Sequence, residues 1–73
     1  MPKAPHPELR ALGQRIRAAR EVRGWSQERL ADEAGIDRSY MSGIERGVRN
    51  ISVLKLSHLA QVLGTKSADL LPK

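Results

Sequence analysis

The residues best suited to chemistry lie between Arg38 and Asn50, in the run RSYMSGIERGVRN. Wound as a helix at about 100° per residue, Met41, Ile44 and Glu45 share one side. Ser39, Ser42, Gly43 and Arg46 share the other, with Arg38 and Tyr40 on the flanks. An arginine can donate two hydrogen bonds to one guanine, the commonest base-specific contact. Serine hydroxyls can bond to several bases, and a tyrosine can reach a phosphate or lay its ring on a thymine methyl. Gly43 offers no side chain, which permits close approach to DNA and gives no readout of its own. A helix with this face suits the major groove, with its N-terminal residues nearest the base edges. The shortness of the side chains points to DNA shape as a further source of specificity. Each residue also has a plainer use. Arg38 can balance Asp37, Ser39 and Ser42 can be solvated, and Tyr40 can cover the edge of the core.

Around this helix stand candidates for holding phosphate. Gln27 opens the preceding helix, where free N–H groups and the helix dipole favour an anion. Arg46, Arg49 and Asn50 flank the end of the helix and its following loop, well placed for a second stretch of backbone. Such contacts position a protein without specifying sequence. An ordinary helix-start residue and a solvated loop are the alternatives.

Other chemistries lack their residues. There is no cysteine, which excludes disulfides, thiolate metal sites and cysteine nucleophiles. His6 and His58 are too far apart in sequence to form a local ligand pair. Ser26, Ser52 and Ser67 read as helix caps, the carboxylates are scattered, and no glycine-rich phosphate loop is present. No catalysis, metal, cofactor or small-molecule ligand is therefore expected. The charge balance is 13 basic against 8 acidic residues, or +5, and the pI is about 10.5. Such a balance in a small domain suggests a polyanionic partner, nucleic acid first. The 73 residues make one domain with a marginal core, for which oligomerisation is a source of added stability. No apolar run resembles a membrane span or a secretory signal, so a cytoplasmic location with no membrane partner is expected.

The elements that must position these residues read as all-α. Residues 1–7 carry Pro2, Pro5 and Pro7 and read as an N-terminal arm, with Lys3 adding general attraction; the domain proper spans 8–71. A first helix is expected from about Pro7 to Arg23, burying Leu9, Leu12, Ile16 and Ala19 and stopped by Gly24. A second follows the Ser26 cap to Ala34, a third the Asp37 cap to Arg46, and a fourth the Ser52 cap to Leu63. A short fifth covers Ala68 to Leu71 after Ser67. Three starts share an apolar residue before the cap and another four past it: Trp25 with Leu30, Ile36 with Met41, Ile51 with Leu56. That is the hydrophobic-staple arrangement, which fixes how the chain turns into each helix.

Between the second and third helices stand only Gly35 and Ile36 before the Asp37 cap. So short a turn makes the helices cross steeply. The crossing needs a small residue at the contact, which Ala31 supplies, and a residue tolerant of positive φ at the corner, which Gly35 supplies. Apolar residues at Leu30, Ala34, Ile36, Met41 and Ile44 then fall where a helix-turn-helix must be buried on a third helix. A generic helical hairpin is the bland alternative.

With these positions in place, residues 9–71 resemble the phage-repressor and Cro type of regulator, a five-helix, lambda-repressor-like domain whose helix-turn-helix here spans about 27–46. Within that family, GIDRSYMSGIERGVRN (Gly35–Asn50) is similar to controller proteins of bacterial restriction-modification systems. The glycine at position 43 departs from members with a long polar residue there. The resemblance implies a homodimeric regulator of its own operon that binds double-stranded DNA at an operator with two half-sites. It further implies that Gln27 clamps the DNA backbone and that Glu45 pairs with Arg20 as a structural tie. Leu54, His58 and Val62 on the fourth helix, with Leu70 and Leu71, are the expected dimer patch; scattered surface apolar residues are the alternative. An antitoxin-type interaction module and a phage lysogeny repressor are the rival readings. Against the first, only two residues follow Leu71, too few for a toxin-binding segment.

Overall fold

The computed structural model describes residues 6–72. Five helices follow one another: α1 (Pro7–Val22), α2 (Gln27–Ala34), α3 (Arg38–Arg46), α4 (Val53–Leu63) and α5 (Ser67–Leu70). The described residues include no strand, as expected for an all-α chain. Most of the arm expected over 1–7 lies outside the described residues, as does Lys3. His6 and Pro7 already belong to the cap and first turn of α1.

The sequence sets these boundaries through local chemistry. Ser26 Oγ accepts from the Arg29 N–H at 3.0 Å and Ser52 Oγ from the Lys55 N–H at 3.0 Å. Each satisfies a donor that the first helical turn leaves free. Asp37 does the same for Ser39 and Tyr40 at the start of α3. Helix α1 ends at Val22 with Arg23 as its C-cap, within one residue of the expected end. One expectation fails. Ser67 is the first residue of α5 and makes no cap bond; the Thr65 hydroxyl instead donates to Asp69 at 3.2 Å.

The corner between α2 and α3 turns on Gly35, at φ 67° and ψ 34°. In that left-handed conformation its N–H reaches Asp32 O at 3.2 Å and the Ile36 N–H reaches Ala31 O at 2.9 Å. These two bonds close α2 in a Schellman motif and bring Ile36 and Asp37 round to start α3. Beneath the corner, Ile16, Leu30, Met41, Ile44, Leu59 and Leu70 are fully buried and join the helices into one core. Helix α3 packs chiefly on α1 and α2, while α4 rests on α2 and α5.

Another close helix contact joins α1 to α3. Gly13 of α1 sits against the backbone carbonyls of Ile44 and Glu45 in α3. A Cβ built on Gly13 would lie 2.5 Å from the Glu45 carbonyl oxygen, inside van der Waals contact. The neighbouring atoms are rigid helix backbone, so they cannot yield as a flexible side chain would. Gly13→Ala should therefore destabilise the fold by about 1–3 kcal/mol, despite the better helix propensity of alanine. Denaturant unfolding of the two chains checks this, and equal stability would show that α1 and α3 can separate freely.

Candidate nucleic-acid interface

A buried ion pair anchors the inner side of α3. Arg20 Nε donates to Glu45 Oε2 at 2.8 Å and its Nη2 to Glu45 Oε1 at 3.0 Å. Both residues are under one-tenth exposed. Burying charges is costly unless their hydrogen bonds are complete, and here they are. The remaining Arg20 nitrogen, Nη1, donates to the Trp25 carbonyl at 2.8 Å, and Glu45 Oε1 also accepts from Gln27 Nε2 at 3.1 Å. No buried side-chain polar atom among the described residues lacks a partner. The hydrogen bond to Glu45 raises the Arg20 pKa above its ordinary value against the opposing effect of burial. The geometry expected for the Arg20–Glu45 pair is thus present, and it extends to Trp25 and Gln27.

Above this anchor lies an open depression of about 450 Å³, lined by Gln27, Asp37, Arg38, Ser39, Ser42 and Arg46. The first turns of α2 and α3 both border it, so two partly positive helix ends add to the two guanidinium groups. Asp37, the one carboxylate, is engaged locally. It accepts from the Ser39 hydroxyl, from the Ser39 N–H at 3.0 Å and from the Tyr40 N–H at 3.4 Å. These bonds, the Ser39 hydroxyl first, hold its carboxyl below the usual carboxylate range. The depression suits an anionic edge flanked by hydrogen-bonding groups.

A second cluster joins the first turn of α3 to the loop that follows it and to α4. The Tyr40 hydroxyl donates to the Asn50 carbonyl at 3.1 Å, and Asn50 Oδ1 accepts from the Ile51 N–H at 2.9 Å. The Tyr40 ring lies 6.0 Å from the Arg49 guanidinium and 5.2 Å from the Lys55 ammonium. The link from Lys55 to Tyr40 crosses from α3 to α4, so no local sequence spacing announces it.

Two expectations need correcting. Gly43 is buried, because the Arg49 side chain lies across it, so the glycine presents no open surface of its own. Leu70 is 2% exposed and belongs to the core, so it cannot form part of a dimer patch. Val62 is half-buried and packs on the same core. Leu54 and Leu71 remain exposed, at 82% and 44%, and Val53 joins them at 81%. The exposed His58 ring makes a 3.1 Å hydrogen bond between Nε2 and the Ala34 carbonyl, which ties it to the end of α2.

Comparison with known proteins decides the family. The helix-turn-helix family matches residues 16–71, most of the chain. The chain belongs to the helix-turn-helix family. A hypothetical transcription factor of Neisseria meningitidis serogroup B is 42% identical over 65 residues, which cover 88% of this chain and 61% of that protein. The chain thus spans somewhat under two thirds of that relative's length. The crystal structure of the restriction-modification controller protein C.AhdI from Aeromonas hydrophila superposes with a TM-score of 0.82 at 44% identity, over 86% of this chain and 96% of that one. A structure of SinR, a master regulator of biofilm formation, in complex with DNA has a TM-score of 0.76 at 38% identity, over 81% and 95% of the two chains. The helix-turn-helix here consists of α2, the Gly35 corner and α3, and it is a DNA-binding unit.

Two predictions arise from the polar anchor and the α3 cap. Glu45→Ala leaves Arg20 buried without its counter-ion and should cost about 3–5 kcal/mol. Arg20→Met combined with Glu45→Leu should cost less than that single change, as a double-mutant cycle in denaturant would show. Asp37 has a depressed folded pKa, so its contribution is complete above the unfolded value near 4. It is lost as pH falls through the lower folded value. The stability gap between the parent chain and Asp37→Asn should hold steady from neutral pH to about pH 4 and close below it. A gap unchanged at pH 2 would show that the cap does not depend on the carboxylate charge.

Proposed function

We propose that this helix-turn-helix protein is a homodimeric transcription regulator, reading a double-stranded operator with two half-sites and controlling its own operon as a restriction-modification controller. The carrying observation is the depression at the first turns of α2 and α3, where Gln27, Arg38, Ser39, Ser42 and Arg46 converge. In this reading α3 enters the major groove. Arg38, its first residue, donates to a guanine edge. Ser39 has its hydroxyl proton committed to Asp37, so it offers lone pairs to an amino group of adenine or cytosine. Ser42 makes a further contact from the next turn, and Tyr40 supports the groove edge.

Gln27, Arg46 and Asn50 hold phosphates on either side. One Gln27 amide hydrogen is spent on Glu45, which orients the amide and leaves its second hydrogen for the backbone. On α4 the exposed Leu54 and His58 and the half-buried Val62, with the exposed Leu71 just past α5, supply a dimer surface. Dimerisation would set two copies of α3 roughly 34 Å apart, one turn of DNA. The likeness to C.AhdI supports the controller role. Weak dimerisation coupled to DNA binding would then make activity depend on the protein's own concentration.

Selection of bound duplexes from a random pool, at low and at physiological salt, tests this reading. A two-fold-related motif that survives the higher salt is the expected result. Arg38→Ala should then lose about 1–3 kcal/mol at one base position of each half-site, while Gln27→Ala weakens all duplexes alike. Binding that disappears with salt and leaves no motif would overturn the proposal in favour of a protein partner.

A further inference from the structure

The missing side chain at Gly43 coincides with an arginine supplied from outside the helix. Gly43 is the sixth residue of α3, on the same side as Ser39 and Ser42. Toward solvent it meets the stem of Arg49, from the loop between α3 and α4. A Cβ built on Gly43 would lie 2.5 Å from Arg49 Cγ and 3.5 Å from both Cβ and Cδ. Arg49 therefore occupies the space in which a side chain at position 43 would begin. Its stem buries the helix backbone there, and its guanidinium lies 6.0 Å from the Tyr40 ring, one helical turn back along α3.

We infer that Arg49, expected from the sequence as a phosphate contact, is instead the missing reading residue of the recognition helix: a base-contacting arginine, delivered across Gly43, that recognises a guanine edge. The inference rests on the proposed docking of α3 in the major groove. An arginine whose stem is laid along a helix has lost part of its rotamer freedom before binding. Its planar fork can therefore make a bidentate base contact at lower entropic cost than a free loop arginine. Tyr40 bounds the guanidinium on one side, and its hydroxyl bond to the Asn50 carbonyl holds the loop that carries Arg49 against the helix. Gly43 is then a positioning residue. It gives Arg49 a seat that any β-carbon would fill.

The energetics of Gly43→Ala make the idea testable. Alanine favours the interior of a helix over glycine, and the atoms in its way are the Cβ, Cγ and Cδ of an exposed side chain, which turning about the Arg49 Cα–Cβ bond would clear. The variant should therefore stay folded, as its melting temperature would show, and yet lose specificity. Base preference would be profiled on randomised duplexes for the parent, Gly43→Ala, Arg49→Ala, Arg49→Lys and the Gly43→Ala/Arg49→Ala pair. Arg49→Ala should flatten the preference at one position of each half-site by about 5- to 150-fold, leaving the others intact. Arg49→Lys, which keeps the charge, should flatten it nearly as much. Gly43→Ala should weaken the same position, and the double variant should be no worse than Arg49→Ala alone. A uniform loss on all sequences that Arg49→Lys restores would make Arg49 a phosphate contact and overturn the inference. Multiplying effects of the two substitutions would overturn the role of Gly43. Failure of the parent to select any motif would overturn the proposed function itself, whereas a parent motif untouched by Arg49→Ala overturns only this inference.

Discussion

Two opposite charges removed from water sit at the meeting point of three helices, and the domain is arranged to make that tolerable. Arg20 belongs to the last turn of α1, Glu45 to the last turn of α3, Gln27 to the first residue of α2, and the Trp25 carbonyl to the bend between α1 and α2. Removing any one of these leaves a polar group without a partner where water cannot easily replace it. The network thus specifies one relative placement of the three helices. The outer side of α3 is defined by what its inner side is fastened to. Hydrophobic packing by Met41 and Ile44 holds α3 down, but apolar contact is non-directional, and the directional bonds to Glu45 fix its rotation.

A second constraint is distance. The chain has no phenylalanine, and its core is filled by leucine, isoleucine, methionine and alanine. With such modest side chains the helices must approach closely. Gly13 meets that need on α1, where the backbone of α3 passes almost in contact, and Ala31 meets it on α2. The same closeness brings the Glu45 carboxylate within reach of Arg20.

How much was legible in advance follows from the range of each interaction. The caps at Ser26, Asp37 and Ser52, the staples beside them and the Gly35 corner act within a few residues, so sequence spacing revealed them. The Arg20–Glu45 pair joins distant residues and was expected only through family resemblance. Gly13 left a visible mark, a glycine inside an otherwise good helix, which is unfavourable unless close packing offsets it. Leu70 is buried against expectation because α5 has a single turn, too short for periodicity to separate a buried side from an exposed one. Gly43 departs from its expected open face for a related reason. The angular pattern of α3 places it outward correctly, but no pattern internal to a helix announces that a loop arginine will cover it. Lys55 reaches Tyr40 only once α4 is folded back, which no spacing rule encodes.

Trp25 is the chain's single tryptophan. Its carbonyl accepts from Arg20, and its indole packs against two guanidinium groups, 4.6 Å from Arg23 and 4.8 Å from Arg29. Arg23 in turn donates to the Leu63 carbonyl at the end of α4 at 3.0 Å. The domain therefore carries a built-in optical reporter at the junction of α1, α2 and α4. Emission from that one indole senses the electric field and solvent of the polar anchor, with no other indole to dilute the signal. Loosening of the joint, by heat, denaturant or a distant substitution, can be followed in the unlabelled protein at its natural composition.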